Sequence, residues 1–438
     1  MGRSQLPIRA RLLQSVLSKQ DALVCLFNQG IVSVAGFATS ILIGRQVPNG
    51  PAVFGIYFIG LSLVLFARGF QQQLVSTPYT LYHHRQSEDE LAAYRGSCLV
   101  QQFIFLAITL VFLIIQIAAA WAGWVSPEVA TTLMVLLLFM PAIMMREIVR
   151  HYCFTHSKNT SVLGIDLGIT VLQIGGLIAL RFMGILTGAT AWFAVGASCF
   201  LTLGYWYFKS GPKIEFQKQR LAEDWKLNWS FGKWAVSGQF VGSLPTYLVP
   251  WLLLIAAGEE GVGFFGFCMM LVGVANIFNT GMLNFLTPKA AKVYVEEGST
   301  GLRQLMSQMY LVFFVAVGSF ALLLSFFGET LVVTIWEKNY VGLQTVLILL
   351  AIAKLFEGFS HTASGGLFAI ERIKENFWVD VILMLVTITA AIFLIRPLGV
   401  VGAAWTTLIS SSTSAILRTI LLVVFLREKP EIGGLANE

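Results

Sequence analysis

The chain has 438 residues, of which 56% are apolar and only 12% charged. Ordinary soluble domains are about 25% charged, so this composition excludes a disordered chain and supplies too little polar surface for a water-soluble globule of this size. The formal net charge is +6, from 29 Lys+Arg against 23 Asp+Glu. In a chain of long apolar runs such an excess points to cytoplasmic loops and not to a nucleic-acid partner.

A membrane-crossing helix needs about 20 consecutive apolar residues. That rule predicts an all-α polytopic membrane protein of about twelve spans: 22–45, 52–78, 97–121, 127–148, 161–182, 187–208, 231–256, 262–286, 307–327, 343–370, 376–395 and 400–426. Turn signals separate them, among them Val47-Pro48-Asn49-Gly50-Pro51, Ser126-Pro127, Gly258-Glu259-Glu260-Gly261 and Arg396-Pro397-Leu398-Gly399. The N-terminus, with Arg3, Arg9 and Arg11 ahead of a run long enough to span, does not read as a cleavable signal. With the N-terminus placed in the cytoplasm, only Arg45, Arg181, Lys338 and Arg396 fall outside, and nearly all other basic residues gather on inner loops. One missed helix would destroy that bias, so an even number of spans with both termini cytoplasmic is predicted, in the cytoplasmic membrane. The cysteines, Cys25, Cys98, Cys153, Cys199 and Cys268, show no C-x-x-C spacing and read as small buried apolar residues. No metal-ligand or cofactor pattern is predicted.

The longest inner loop, 209–230, mixes Lys213, Lys218, Arg220 and Lys226 with Ile214, Phe216, Leu221, Trp225 and Trp229. It reads as an amphipathic linker on the membrane surface; residues 9–20 are a weaker version. The linker divides the chain into an N-terminal lobe, 1–208, and a C-terminal lobe, 231–438, of six spans each. The halves match. Phe54-Gly55 followed by Thr77-Pro78 corresponds to Phe265-Gly266 followed by Thr287-Pro288, and Gln29 to Gln239. Asp166, Arg181 and Gly188-Ala189-Thr190-Ala191-Trp192 correspond to Asp380, Arg396 and Gly402-Ala403-Ala404-Trp405. Six spans per half make the repeats parallel, with a site expected in a cavity at their interface.

Charges inside spans cost about 2.5–3.5 kcal/mol at the bilayer centre on insertion scales and usually face a cavity or a partner. Arg68 lies deep in the second span, with Gln71, Gln72 and Ser76 on its polar stripe. It reads either as a cation lining a water-filled cavity or as a structural arginine. Lys354, Glu357 and His361 share a face of the tenth span. Lys354 and Glu357 can neutralise each other, and a Glu-His pair can take up and release a proton. Asp166 and Asp380, at matching places, suit a structural pairing. Arg146 and Arg150, one turn apart with Glu147 between, read as positive-inside anchors or as a phosphate contact at the cytoplasmic entrance. Two membrane cations, Arg68 and Lys354, suit an anion, and Arg suits phosphate in particular.

The ordered set Asn28-Gln29-Gly30 through Ile43-Gly44-Arg45, Phe54-Gly55-Ile56-Tyr57, Ser76-Thr77-Pro78, Pro288 with its basic loop, Phe327-Gly328-Glu329 with Trp336, and Gly399-Val400-Val401-Gly402-Ala403-Ala404 resembles the polysaccharide-flippase (Wzx-like) branch of the multidrug/oligosaccharidyl-lipid/polysaccharide exporter superfamily. The resemblance implies two six-helix lobes in a V around a central cavity. It implies a transporter moving a lipid-linked glycan between leaflets by alternating access, its carrier of polyprenyl phosphate or diphosphate type. In that reading Arg68, Gln72 and Lys354 contact substrate, Glu357 and His361 couple the cycle, and membrane lipids and polysaccharide-synthesis proteins are the other partners. One departure stands out: the drug-efflux branch carries an acidic residue within the first span, whereas Asp21 here lies before it. A cation-coupled multidrug exporter remains the alternative. A membrane-embedded glycan polymerase or ligase is less favoured, because the outer loops are short and carry no catalytic constellation.

Overall fold

The computed structural model describes residues 8–45, 49–336 and 342–427. Arg3, Lys338 and Lys429 lie outside the described residues, as do the side chains of Arg9, Arg11, Lys19, Asp21 and Cys25. Among the described residues every regular element is helical. The helices are α1 (Ile8–Gly44), α2 (Gly50–Gln71), α3 (Thr77–Tyr82), α4 (Glu88–Ala119), α5 (Pro127–Thr155), α6 (Asn159–Phe182), α7 (Gly188–Ser210), α8 (Lys218–Val272), α9 (Ala275–Trp336), α10 (Gln344–Ala369) and α11 (Ile373–Arg427). A π turn over Gln72–Ser76 joins α2 to α3. Nine helical stretches among the described residues are long and apolar enough to cross a membrane.

The stretches expected from hydropathy fall on these helices or on the arms of bent ones, except that 52–78 runs through α2, the π turn and the start of α3, and 262–286 crosses from the end of α8 into α9. The three longest helices are each interrupted at a single glycine with positive φ: Gly258 in α8, Gly298 in α9 and Gly399 in α11. Only glycine takes that backbone region without a steric penalty. In α11 the chain then doubles back, since Thr387 Oγ1 donates to Ser410 Oγ at 2.8 Å and Asp380 meets Arg418. In α9 the same reversal packs Leu286 and Ala290 against Leu302, Leu305 and Met306. Starts are set locally. Ser126 caps α5, accepting from the Val129 N–H at 3.3 Å ahead of Pro127, and Thr187 caps α7 with a reciprocal bond to Thr190.

The chain forms two compact units, Met1–Val47 with Gly60–Ser237, and Pro48–Ile59 with Gly238–Glu438. The exchange of 48–59 into the second unit has a packing cause, and it involves both copies of the repeated Phe-Gly motif. A Cβ on Gly55 would overlap the Glu259 carbonyl, and one on Gly263 the Pro51 carbonyl. Without those side chains the start of α2 lies backbone to backbone on the distal arm of α8, the contact small residues permit in membranes. Gly266 lies beneath Phe54 and Phe58, and the Phe54 and Phe267 rings stack at 4.0 Å. Residues 218–230, expected within a surface linker, are the first turns of α8, continuous with the span that follows. Only 211–217 is non-helical, held to α4 by the Glu215 N–H donating to the Ala92 carbonyl at 3.1 Å.

Candidate functional site: charge networks in the helices

Arg68 ends α2. Its Nε meets Glu147 Oε2 on α5 at 3.0 Å. Glu147 Oε1 also faces Arg150 Nη1 at 3.7 Å, and Arg150 Nε reaches Asp166 Oδ2 on α6 at 3.0 Å. Arg146 Nη2 donates to Asp166 Oδ1 at 2.7 Å, and Asn28 Nδ2 of α1 donates to Asp166 Oδ2 at 2.8 Å. Helical spacing places Arg146 and Arg150 one turn apart, so both close on one carboxylate. The network ties α1, α2, α5 and α6 together within the first unit.

Its charge does not balance. Three guanidiniums face two carboxylates, leaving one positive charge in excess. Asp166 is fully buried, and Glu147 and Arg150 are nearly so. A buried ion without a partner is far costlier than an exposed one. The excess therefore resides on Arg68, whose side chain is 39% exposed. Glu147 engages its Nε, and a guanidinium has four further N–H donors. Arg146 and Arg150, expected as anchors or as a phosphate contact, are both engaged with carboxylates.

The polar stripe expected beside Arg68 divides. Gln71 is buried, donating to the Met144 carbonyl at 2.7 Å and to Gln102 Oε1 at 3.2 Å, whereas Gln72 is exposed at the start of the π turn. Adjacent residues on a helix point about 100° apart and cannot share a face.

In the second unit Lys354, Glu357 and His361 do share a face. Lys354 Nζ donates to Glu357 Oε2 at 2.6 Å, and His361 Nε2 stands 3.6 Å from Glu357 Oε1. Lys354 is buried, while the Glu357 and His361 side chains are about one-third exposed. Sequence reasoning missed Asn276 on α9, whose Oδ1 accepts from Lys354 Nζ at 3.0 Å. One turn along α9, Asn279 is buried, and neither of its amide atoms has a hydrogen-bond partner. Also missed was a repeat carried by the sequence itself: Glu147 and His151 on α5 have the spacing of Glu357 and His361 on α10.

Asp166 and Asp380, matched in the repeat, each hold arginine, but from different helices. Arg418 Nη2 lies 2.5 Å from Asp380 Oδ1, its Nε donates to Asn376 Oδ1 at 2.7 Å, and its Nη1 donates to Ser360 Oγ at 2.8 Å. All three nitrogens of that guanidinium are engaged. Among the described residues no group of three or more His, Cys, Asp or Glu stands together as a metal site.

No family model matches the chain. Over 177 residues it is 24% identical to the capsular polysaccharide biosynthesis protein CapF of Staphylococcus aureus, a match spanning 40% of this chain and 44% of that one. The solved structures it is similar to cover nearly its whole length. An inward-facing multidrug resistance MATE family transporter of the MOP superfamily aligns with a TM-score of 0.76 at 14% identity, over 90% of this chain and 94% of that one. The lipid II flippase MurJ, in an inward closed conformation, aligns at 0.73 and 15% identity, over 92% and 87%. A MOP superfamily transporter from Pyrococcus furiosus aligns at 0.65 and 14% identity, over 92% and 94%. The chain is an all-helical, multi-pass membrane protein with the fold of the MATE-like transporters of the MOP superfamily.

Proposed function

We propose that this protein flips a lipid-linked oligosaccharide or polysaccharide precursor across the cytoplasmic membrane. Its two six-span lobes, 1–208 and 231–438 joined by 209–230, work by alternating access with both termini cytoplasmic. The observation that carries the proposal is the positive charge in excess in the network that ends at Arg68, a partly exposed guanidinium that meets Glu147 through its Nε alone, in a membrane-spanning helix. A guanidinium presents the fork that phosphate accepts. The likeness to a capsular polysaccharide biosynthesis protein and to a lipid II flippase supports a carrier-linked glycan. In this reading Arg68, with Gln72 beside it, holds the carrier phosphate, and Arg146 and Arg150 brace it through Glu147 and Asp166. Lys354 is the second cation, and Glu357 with His361 carries the coupling proton. Proteins of glycan synthesis are the partners that would supply the substrate.

A cation-coupled multidrug exporter is the second reading. The likeness to the MATE transporter and the partly exposed Glu357–His361 pair favour it. Proteoliposomes holding the full chain separate the two. A fluorescent polyprenyl-diphosphate oligosaccharide should change leaflet with the wild type and about tenfold more slowly with Arg68→Ala. Movement of a cationic dye with none of the glycan lipid would overturn the flippase reading, and an unchanged rate in Arg68→Ala would remove Arg68 from the site.

A further inference from the structure

Nearly every guanidinium buried in the first unit meets a carboxylate: Arg146 and Arg150 at Asp166, and Arg220 at Glu90 and Asp224. Arg95 on α4 does not. Its Nη1 donates to the Lys213 carbonyl at 3.3 Å, its Nη2 meets His156 Nε2 at 3.3 Å, and its Nε is buried without a hydrogen-bond partner. The nearest acidic residue along 211–217 is Glu215, which is exposed and makes no ion pair with Arg95 among the described residues. A second cation stands close by. The Arg95 guanidinium and the Lys158 ammonium lie 5.5 and 5.4 Å from the centroid of the same Tyr152 ring.

Three imidazoles complete the cluster. His83 and His84 follow α3, their rings 3.9 Å apart, and the His83 ring lies 4.6 Å from that of His156. Tyr79 on α3 faces His156 at 6.2 Å. The groups around His156 are thus Tyr79, His83 and His84 from the α3 end, Arg95 from α4, Tyr152 from α5, and Lys158. Among the described residues no carboxylate joins them. Two cations, Arg95 and Lys158, thus share one ring with no carboxylate beside them among the described residues, an arrangement that an anion would relieve, and an orphaned buried donor calls for an explanation.

The hydrogen bonds also fix the histidine's state. Arginine only donates, so His156 Nε2 accepts from it. Nδ1 lies 2.9 Å from the Tyr152 carbonyl, so it carries the proton. His156 rests neutral with its basic lone pair directed at Arg95. Burial, and then the Arg95 and Lys158 cations, hold its pKa below the usual imidazole value.

We propose that Arg95, Lys158 and His156 form a phosphate-binding site at the junction of α5 and α6. An arriving phosphate takes donors from Arg95 and Lys158, and His156 Nε2, released from Arg95, takes up a proton from the bulk solution and becomes a third donor. Binding is therefore accompanied by uptake of one proton. The site is separate from the Arg68 network and its occupancy requires no flipping; only a carrier lipid as the source of the phosphate rests on the flippase reading. A phosphate group has two sources here, a lipid headgroup or a free solute.

The test uses the full chain in nanodiscs of zwitterionic lipid. It is read by calorimetry and by the fluorescence of Trp206, whose ring lies 6.2 Å from that of Tyr152. Three probes are titrated: inorganic pyrophosphate, phosphatidylglycerol built into the disc, and a polyprenyl diphosphate built into the disc. Saturable binding of any one that Lys158→Gln or Arg95→Gln weakens supports the site, and the probe that binds in this way identifies the source. Lys158 is exposed, so Lys158→Gln leaves the fold intact and should weaken binding at least about threefold, with Arg95→Gln weakening it about tenfold or more. Affinity should rise from pH 8 to pH 6 and lose that slope in His156→Gln. Arg68→Ala, at the residue proposed to hold the carrier, should leave the Lys158- and Arg95-dependent part of the binding and its pH slope in place, so failure of this site and failure of the transport reading are told apart. No saturable binding of any probe below about 1 mM, or unchanged binding in both Lys158→Gln and Arg95→Gln, overturns the proposal.

Discussion

Asp166 holds the first unit's charge network together, and replacing it with asparagine separates charge from shape. Asp166→Asn keeps the side-chain outline and one acceptor oxygen, so the bond from Asn28 survives. It removes the negative charge on which Arg146 closes at 2.7 Å and Arg150 at 3.0 Å. Arg150 retains only the longer contact with Glu147, at 3.7 Å. Arg146, whose side chain is 18% exposed, is left with no carboxylate among the described residues. Removing one partner of a buried pair costs about 3–5 kcal/mol. The surviving Asn28 bond and the Glu147 contact set the expectation at the lower end, about 3 kcal/mol. Reversible unfolding in mixed micelles by a denaturing detergent measures it. The double variant Asp166→Asn/Arg146→Met withdraws the stranded cation as well and should recover at least about 1 kcal/mol, a coupling expected of groups in contact. A loss below about 1 kcal/mol, the level of an exposed pair, would refute the reasoning, as would strict additivity of the two substitutions.

Gly55→Ala drives a methyl group into the Glu259 carbonyl and should destabilise the second unit by more than about 3 kcal/mol, seen as a large fall in melting temperature; Gly164→Ala, with open space around it, should change little. Glu357→Gln separates Lys354 and His361 from their shared carboxylate and should flatten the pH dependence of transport in proteoliposomes; an unaltered profile would remove the pair from coupling. His156 has a folded-state pKa below its unfolded value, chiefly through burial, so the unfolded chain binds the proton more readily. Stability should be level above about pH 6.5 and fall as the pH drops below it, and His156→Gln should lessen that fall in thermal melts between pH 5 and pH 8.

Membrane class and helical architecture were legible in the amino-acid order because they depend on one-dimensional quantities. Runs long enough to cross the hydrocarbon, turn residues between them and basic residues on alternate connections are all local. The face shared by Lys354, Glu357 and His361 was equally legible, since helical spacing alone brings those groups together. The pairing of Glu147/His151 with Glu357/His361 lay in plain view as a repeated spacing and was overlooked because the first pair sits among arginines that read as anchors.

Partnership between helices was another matter. Hydropathy and spacing identify Arg68, Arg146, Arg150 and Asp166 as charged groups in or beside spans. They cannot say that two of the arginines close on Asp166 while the third meets Glu147 with donors left to offer. Nor can they say that Gln71 turns inward while Gln72 turns out, or that Arg95 meets no carboxylate among the described residues. Those outcomes depend on which faces of non-adjacent helices meet. A charge in a membrane is bound by the partner within a few ångströms, and only the folded chain decides which partner that is.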